Sequence, residues 1–221
     1  MCGRMTMTHP ADAMAQLFEA VPSNDLPEVP RYNICPTQTI SVVTADDDTR
    51  RLRPMRWGFL PHWYKTTRDG PLLINARSET IAEKPAFRAA IRARRCLIPA
   101  TGFYEWTKDA DGNRLPWYFS PASGSVLAFA GIWQEWERGE EAFVTCAIVT
   151  CGAGPRMAGI HHREPVQIAP QDWPLWLGEA DGKAAPLMRA APDDFFARSR
   201  VATAVNSNRA QGPELIEPIS A

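Results

Sequence analysis

Proline sets the tightest limit on what this chain can fold into. Its 20 prolines are scattered through 221 residues, about 9% against a usual 5% or so. Proline has no N–H to give to a helix interior or a central strand. At this spacing it cuts a chain into short strands, short helices and loops. The prolines are not clustered, so no polyproline linker is implied. With 45% hydrophobic residues the chain is no disordered tail. A domain of this length buries roughly 70% of its unfolded surface, enough to stand without a disulfide or metal staple.

Within that limit, periodicity places the elements. Met14, Leu17, Phe18 and Val21 fall at i, i+3, i+4 and i+7 and predict a helix over Pro10–Val21, with Pro10 in its first turn. Strand-like runs at Thr39–Thr44 and Arg51–Gly58 flank an acidic turn at Asp46–Asp48, and Leu72–Asn75 is short and apolar. Phe87, Ala90 and Ile91 predict a second helix over Glu83–Ala93. A β-rich middle follows: Cys96–Thr107, the Asp111-Gly112 turn, Trp117–Phe119, Val126–Trp133 and Phe143–Thr150. Beyond it, a short helix over Pro155–Ile160 places His161 at its end. Val166–Ile168 reads as a brief strand, Pro170–Leu177 as the start of a helix, Ala180–Ala197 as short helices and Val201–Asn206 as a closing strand. Helices and strands mix without βαβ regularity. The fold class expected is α+β, a single domain over residues 1–221, with a mostly antiparallel curved sheet or barrel-like core and flanking helices.

Charge and cysteines bound the partners. Lys and Arg total 24 against 25 Asp and Glu, a net charge of −1. That excludes a bulk electrostatic coat for nucleic acid, but not a protein that touches a few phosphates and then closes a covalent bond. Acidic residues at Asp46–Asp48 and Glu135–Glu141 can balance a basic groove elsewhere. The five cysteines form no C-x-x-C pair, no apolar run reaches the roughly 18 residues of a membrane span, and the polar start Met1–Asp12 lacks a secretory core. A cytoplasmic protein with reduced thiols, no membrane partner and no cofactor is expected. A monomer is the default oligomeric state.

Four clusters could carry chemistry. Removal of Met1 by a methionine aminopeptidase would leave Cys2 with a free α-amine beside its thiol, with reference pKa values of about 7.7–8.0 and about 8.5. Such a 1,2-aminothiol forms an imine with an aldehyde and closes a thiazolidine, or attacks an acyl group with the amine as base. The plain alternative is a second residue that frays in solvent; Gly3 and Arg4 beside it favour close approach of an anion. In Leu72–Glu79, Asn75 and Arg77 share one strand face and could orient a substrate and hold a phosphate, or be a strand end and a surface arginine. In Gly102-Phe103-Tyr104-Glu105-Trp106, Glu105 is either a desolvated acid/base among aromatics or an outward carboxylate. In Ile160–Pro165, one of His161 and His162 could shuttle a proton. Adjacent histidines without an i, i+4 spacing or a Cys/His companion set argue against a metal. Trp57 is expected inside, and Trp63 and Tyr64 in a Gly/Pro-broken loop could stack on bases. The Arg88, Arg92, Arg94, Arg95 series reads as a solvated helix face. Cys35, Cys96, Cys146 and Cys151 read as buried hydrophobes.

In this order the segments resemble the SRAP family (SOS response-associated peptidases, or abasic-site processing proteins). The resemblance rests on Met1-Cys2-Gly3-Arg4, Arg31–Pro36, Trp57-Gly58 with Pro61 and Trp63, Ile74–Glu79 and Arg95–Pro99. It continues through Gly102–Trp106, Ile160-His161, Val205-Asn206-Ser207 and Gly212–Leu215, and so covers nearly the whole chain. It implies covalent capture of the ring-opened aldehyde of an abasic site in single-stranded DNA, shielding the lesion. Cys2 would be the nucleophile, Asn75 would position the sugar, and Glu105 and His161 would move protons. Arg4, Arg77 and Arg163 would meet phosphates, Trp63 and Tyr64 would stack on bases, and Asn33 matches a family residue near the cysteine. Thr101 stands where the family usually has Asp, and Cys35 where it commonly has Ala. The family name implies a peptidase, which the chemistry supports only as removal of residues before Cys2. Two other readings remain: an N-terminal-nucleophile amidotransferase, which also begins Met-Cys-Gly, and a non-covalent single-strand-binding module.

Overall fold

Thirteen strands and four short helices make up the described residues, 2–46 and 49–219 of a computed structural model. Met1 and two residues of the expected acidic turn, Asp47 and Asp48, lie outside them. The strands are β1 Met5–Met7, β2 Ala20–Pro22, β3 Arg31–Ile34, β4 Thr39–Asp46, β5 Thr49–Trp57, β6 Asn75–Arg77, β7 Arg95–Ala100, β8 Gly102–Lys108, β9 Arg114–Pro121, β10 Leu127–Arg138, β11 Glu141–Gly152, β12 Arg163–Pro165 and β13 Phe196–Arg200. The helices are α1 Ala11–Leu17, α2 Ala90–Ala93, α3 Pro155–Ala158 and α4 Trp173–Leu177. Among the described residues none is longer than the 7 residues of α1, as the proline spacing demands.

Two sheets share one core. An open antiparallel sheet runs β13-β9-β8-β1-β3, and a second runs β12-β11-β10-β7-β4-β5-β2. In the second sheet β5 also pairs with β11 in parallel, Arg56 opposite Thr145 and Trp57 opposite Cys146. That pairing closes β11, β10, β7, β4 and β5 into a five-stranded barrel, which removes their free edges. Further along β11 the same edge passes to β6, which places Asn75 opposite Ile148 and Arg77 opposite Thr150. Central runs such as Cys96–Ile98, Leu127–Ala130 and Cys146–Val149 are buried without alternation. Both faces of these strands are covered, one by the barrel interior and the other by neighbouring elements.

An aromatic cluster joins the sheets. Phe103 of β8 stacks on Phe119 at 5.1 Å and meets Phe129 of the barrel edge-on at 5.7 Å. Each buried phenyl contributes about 1.5–3 kcal/mol. Gly102 opens β8 because nothing larger fits: a Cβ there would lie 2.2 Å from the Tyr118 hydroxyl and 2.6 Å from the Phe119 carbonyl.

The expected α+β class, the curved, barrel-like core, buried Trp57 and the four buried cysteines are all found. Several boundaries differ. The first helix stops at Leu17, because Glu19 takes a left-handed φ of 52° and turns the chain into β2 beside β5. Pro10 precedes that helix as its cap. The second helix contracts to α2. Pro85, without an N–H, interrupts the run, although Phe87, Ala90 and Ile91 still bury one face. The Leu72–Asn75 strand begins only at Asn75, and Cys96–Thr107 breaks at Thr101 as the chain leaves the barrel for the open sheet. The brief strand expected at Val166–Ile168 lies at β12 instead. The expected short helices over Ala180–Ala197 give one 3-10 turn at Ala185–Leu187, and strand β13 starts at Phe196. Beyond it the chain turns as a 3-10 helix at Thr203–Asn206, not as a closing strand, and its carbonyls and side chains are used as a latch (below).

Candidate active site

Side chains from four distant parts of the chain meet where β1, β6, β8 and the end of α3 converge. Cys2, leading into β1, is 1% exposed and does not fray. The Asn75 amide donates to its carbonyl at 2.9 Å. Strand β8 alternates, so Phe103 and Glu105 share its inner face, and Glu105 is buried at 3% exposure instead of pointing outward. Burial first, and then the neighbouring Glu105 carboxylate, push the Cys2 thiol well above its ordinary pKa. The thiol is therefore held protonated at neutral pH. Asn75 Oδ1 is buried with no hydrogen-bond partner among the described residues. An orphaned buried acceptor costs about 1–3 kcal/mol, a cost that a bound hydroxyl would offset.

His161 arrives through α3. Its backbone N–H donates to Met157 O at 2.9 Å, which turns the chain out of the helix and aims the ring at Glu105, Nδ1 to Oε1 4.0 Å. Nδ1 also lies 3.0 Å from both the N–H and the carbonyl of Arg163. It can therefore accept or donate there, and either tautomer keeps a partner. His162 stacks on His161 at 4.4 Å; the charge of His161, then burial, lowers its pKa.

The residues expected to meet DNA divide into two groups. Arg77 on β6 is exposed, and so is Trp63 at 45%. Arg4, Asn33, Tyr64 and Arg163 are buried. Arg4 donates to Asn33 Oδ1 at 2.7 Å, Val205 O at 2.8 Å and Asn208 Oδ1 at 2.6 Å. Asn33 donates to Ser207 O at 2.9 Å and Ala210 O at 2.8 Å. With Trp106 Nε1 on Asn206 Oδ1 at 2.6 Å, these bonds latch the C-terminal segment over the outer face of β8, beside Tyr104. Arg163 makes a bidentate pair with Glu79 at 2.6 and 2.8 Å and also donates to Thr150 O at 2.7 Å. This pairing holds the Glu79 carboxyl down to about 2. Tyr64 packs with Leu60 and Trp136 beneath the loop that carries Trp63.

Two supporting carboxylates escaped the sequence reading. Glu79 stood inside a quoted motif without a role, and its signal was a buried arginine in need of an acid. Glu164, 2% exposed, accepts the N–H of Gly154 at α3 and of Ala191, both at 2.8 Å, and burial raises its pKa. Nothing local marked it. Thr101, just before Gly102, bonds Thr6 Oγ1 at 2.8 Å. Among the described residues no His/Cys/Asp/Glu group could hold a metal, and no helix is long and apolar enough to cross a membrane.

The fold is a closed β-barrel flanked by an open sheet, with Cys2 buried beside Asn75 and Glu105 and with His161 close to Glu105. The model of the family described as SOS response associated peptidase (SRAP) matches residues 1–208, and the chain belongs to this family. The chain is 36% identical over 225 residues to abasic site processing protein YoqW of Bacillus subtilis, covering 98% of this chain and 99% of that one. Over 229 residues it is 33% identical to abasic site processing protein YedK of Escherichia coli, covering 99% and 100%. A crystal structure of a Bacteroides thetaiotaomicron protein shares the fold with a TM-score of 0.85 at 22% identity, covering 99% and 100%.

Proposed function

We propose that this protein processes abasic sites in DNA by capturing the ring-opened aldehyde covalently through Cys2, in single-stranded DNA, and so shields the lesion. The observation that carries the reading is the enclosure of Cys2 by Asn75, Glu105 and His161, residues of a family whose relatives are named for abasic-site processing.

The chemistry follows from the protonated thiol. With Met1 removed, the α-amine adds to the aldehyde carbon, and the carbinolamine loses water to leave an imine. The thiol then adds across C=N: sulfur bonds to carbon, its proton passes to nitrogen, and a thiazolidine closes. Glu105, beside the thiol, takes and returns these protons, and His161 opens the sugar ring by proton transfer at its oxygen. The orphaned Oδ1 of Asn75 accepts from a sugar hydroxyl. Exposed Arg77 and Trp63 make the direct contacts to phosphate and base. Arg4, Asn33, Tyr64 and Arg163 support the DNA-binding face from behind. Residues 1–221 act as one monomeric cytoplasmic domain, and any peptidase action is limited to removing residues before Cys2.

The test is a denaturing gel with an abasic oligonucleotide beside an intact-mass measurement. A heat- and SDS-stable adduct on protein lacking Met1 is expected. Binding that does not survive denaturation would reduce the protein to a single-strand-binding module, and glutaminase turnover would favour the amidotransferase reading.

A further inference from the structure

Asn75 opens β6 and His161 lies two residues before β12, and each of these strands is only three residues long. They flank the end of β11, where Arg77 of β6 and Pro165 of β12 both pair with Thr150. A ladder this short supplies few backbone hydrogen bonds. By itself it opens easily and leaves its side chains loosely placed. Two groups that must act together on one sugar therefore need a further tie between their segments.

Arg163 makes that tie. Consecutive strand residues point to opposite faces, and on β12 the two faces are anchored separately. Glu164 takes the N–H groups of Gly154 and Ala191, both at 2.8 Å, and so fixes β12 to the start of α3. Arg163, 8% exposed, reaches the far edge of β11 instead. There it donates to Thr150 O at 2.7 Å, the carbonyl that also takes the Ser78 N–H at 2.8 Å. It then closes its bidentate pair with Glu79 at 2.6 and 2.8 Å. The backbone of the same arginine meets the imidazole, since its N–H donates to His161 Nδ1 at 3.0 Å and its carbonyl oxygen lies 3.0 Å from that nitrogen. One residue thus spans from the segment after Asn75 to the peptide unit that holds the His161 ring. A bidentate fork fixes angle as well as distance, which a lysine could not do. The Glu79 side chain is 51% exposed, where an ion pair adds little to folding, so its geometry matters more than its energy.

We propose that Glu79 is a positioning residue for covalent capture: through Arg163 it sets the distance between Asn75, which accepts the sugar hydroxyl, and His161, which passes a proton to the ring oxygen. Glu79 touches neither the sugar nor Cys2. It removes slack between two groups that act on one deoxyribose, where a misplacement of about 1 Å costs up to ~100-fold in rate. The proposal rests on the capture reading for the reaction, but not for the placement of the imidazole.

The experiment uses the full chain and three readouts: the single-turnover rate of cross-linking to an abasic oligonucleotide, the affinity for a lesion-free oligonucleotide, and the ¹⁵N signals of the His161 imidazole. Glu79→Ala is expected to slow cross-linking at least about tenfold with lesion-free affinity unchanged. It should also move the His161 signals toward those of a free imidazole. Glu79→Asp, which keeps a carboxylate, should recover part of the rate. Glu179→Gln breaks the other bidentate pair, Arg50 to Glu179 at 2.8 and 2.7 Å, which takes no part in the site around Cys2. It controls for a lost ion pair and should leave all three readouts at the wild-type level. Wild-type His161 signals in Glu79→Ala would overturn the proposal, whatever the rate. Tighter lesion-free binding at an unchanged rate would overturn it as well, and make Arg163 a phosphate contact that Glu79 masks. A wild type that forms no adduct sinks the capture reading, and the His161 signals then decide the tie alone.

Discussion

The surroundings of Cys2 and the groove that Arg88 and Arg94 line with Trp63 and Trp133 both gather arginines and aromatics, yet the two regions handle them in opposite ways. Around Cys2 the polar groups turn inward. Arg4 spends its guanidinium on Asn33, Val205 and Asn208, Arg163 pairs with Glu79, and the thiol and Glu105 are buried beside half-buried Asn75. At the groove, Arg88 and Trp63 face solvent while hydrogen bonds hold the backbone behind Trp63. Burial tunes reactivity, because a desolvated thiol and carboxylate exchange protons without competition from water. Exposure leaves a charge hydrated and screened, so it shifts its neighbours little. In a chain of net charge −1 a residue count averages the two away.

The largest effect that would break this contrast is at Cys2. Cys2→Ala should abolish the heat-stable adduct while leaving an imine that borohydride traps; a heat-stable adduct at the wild-type level would rule out thiazolidine closure. Glu105→Gln should slow cross-linking by about 10²- to 10⁴-fold with little change in affinity for a lesion-free strand. Equal losses in rate and affinity would make Glu105 structural.

Arg4→Met sharpens the inward role of the buried arginines. It strips a donor from Asn33, Val205 and Asn208 and should cost about 3 kcal/mol, a Tm drop on the order of 10 °C for a chain of this size. The salt slope of DNA binding should stay as in the wild type. A lowered slope with an unchanged Tm would make Arg4 a phosphate contact.

The smallest effect is acid-dependent. Glu79 titrates near 2 in the folded chain, below the value of about 4.3 for a free Glu. The pair with Arg163 therefore adds stability above pH ~4.3 and loses it as pH falls toward 2. Because the Glu79 side chain is 51% exposed, that stability is under about 1 kcal/mol. Thermal melts of Glu79→Gln should trail the wild type at pH 7 and converge with it only as pH falls to about 2.

Much of this was legible in order along the chain. The β-rich middle and the buried Phe87–Ile91 face followed from period and propensity, which are local. Cys2, Asn75, Glu105 and His161 could each be singled out by residue type, since few side chains perform acid, base or nucleophile chemistry. The choice between a buried and an outward Glu105 stayed open because alternation names two faces but not which one meets the barrel.

By itself, then, the sequence determined short elements, an α+β barrel-like core, the family and the chemically capable residues. The tertiary structure alone decided which of these meet and what each arginine does. β11 passes its edge from β5 to β6, and that register brings Asn75 to Cys2. Glu79 and Arg163 lie 84 positions apart and Arg4 and Asn208 lie 204 apart. An arginine's charge is written in the chain, but its partner is set by through-space distance and desolvation, and those exist only once the strands have closed.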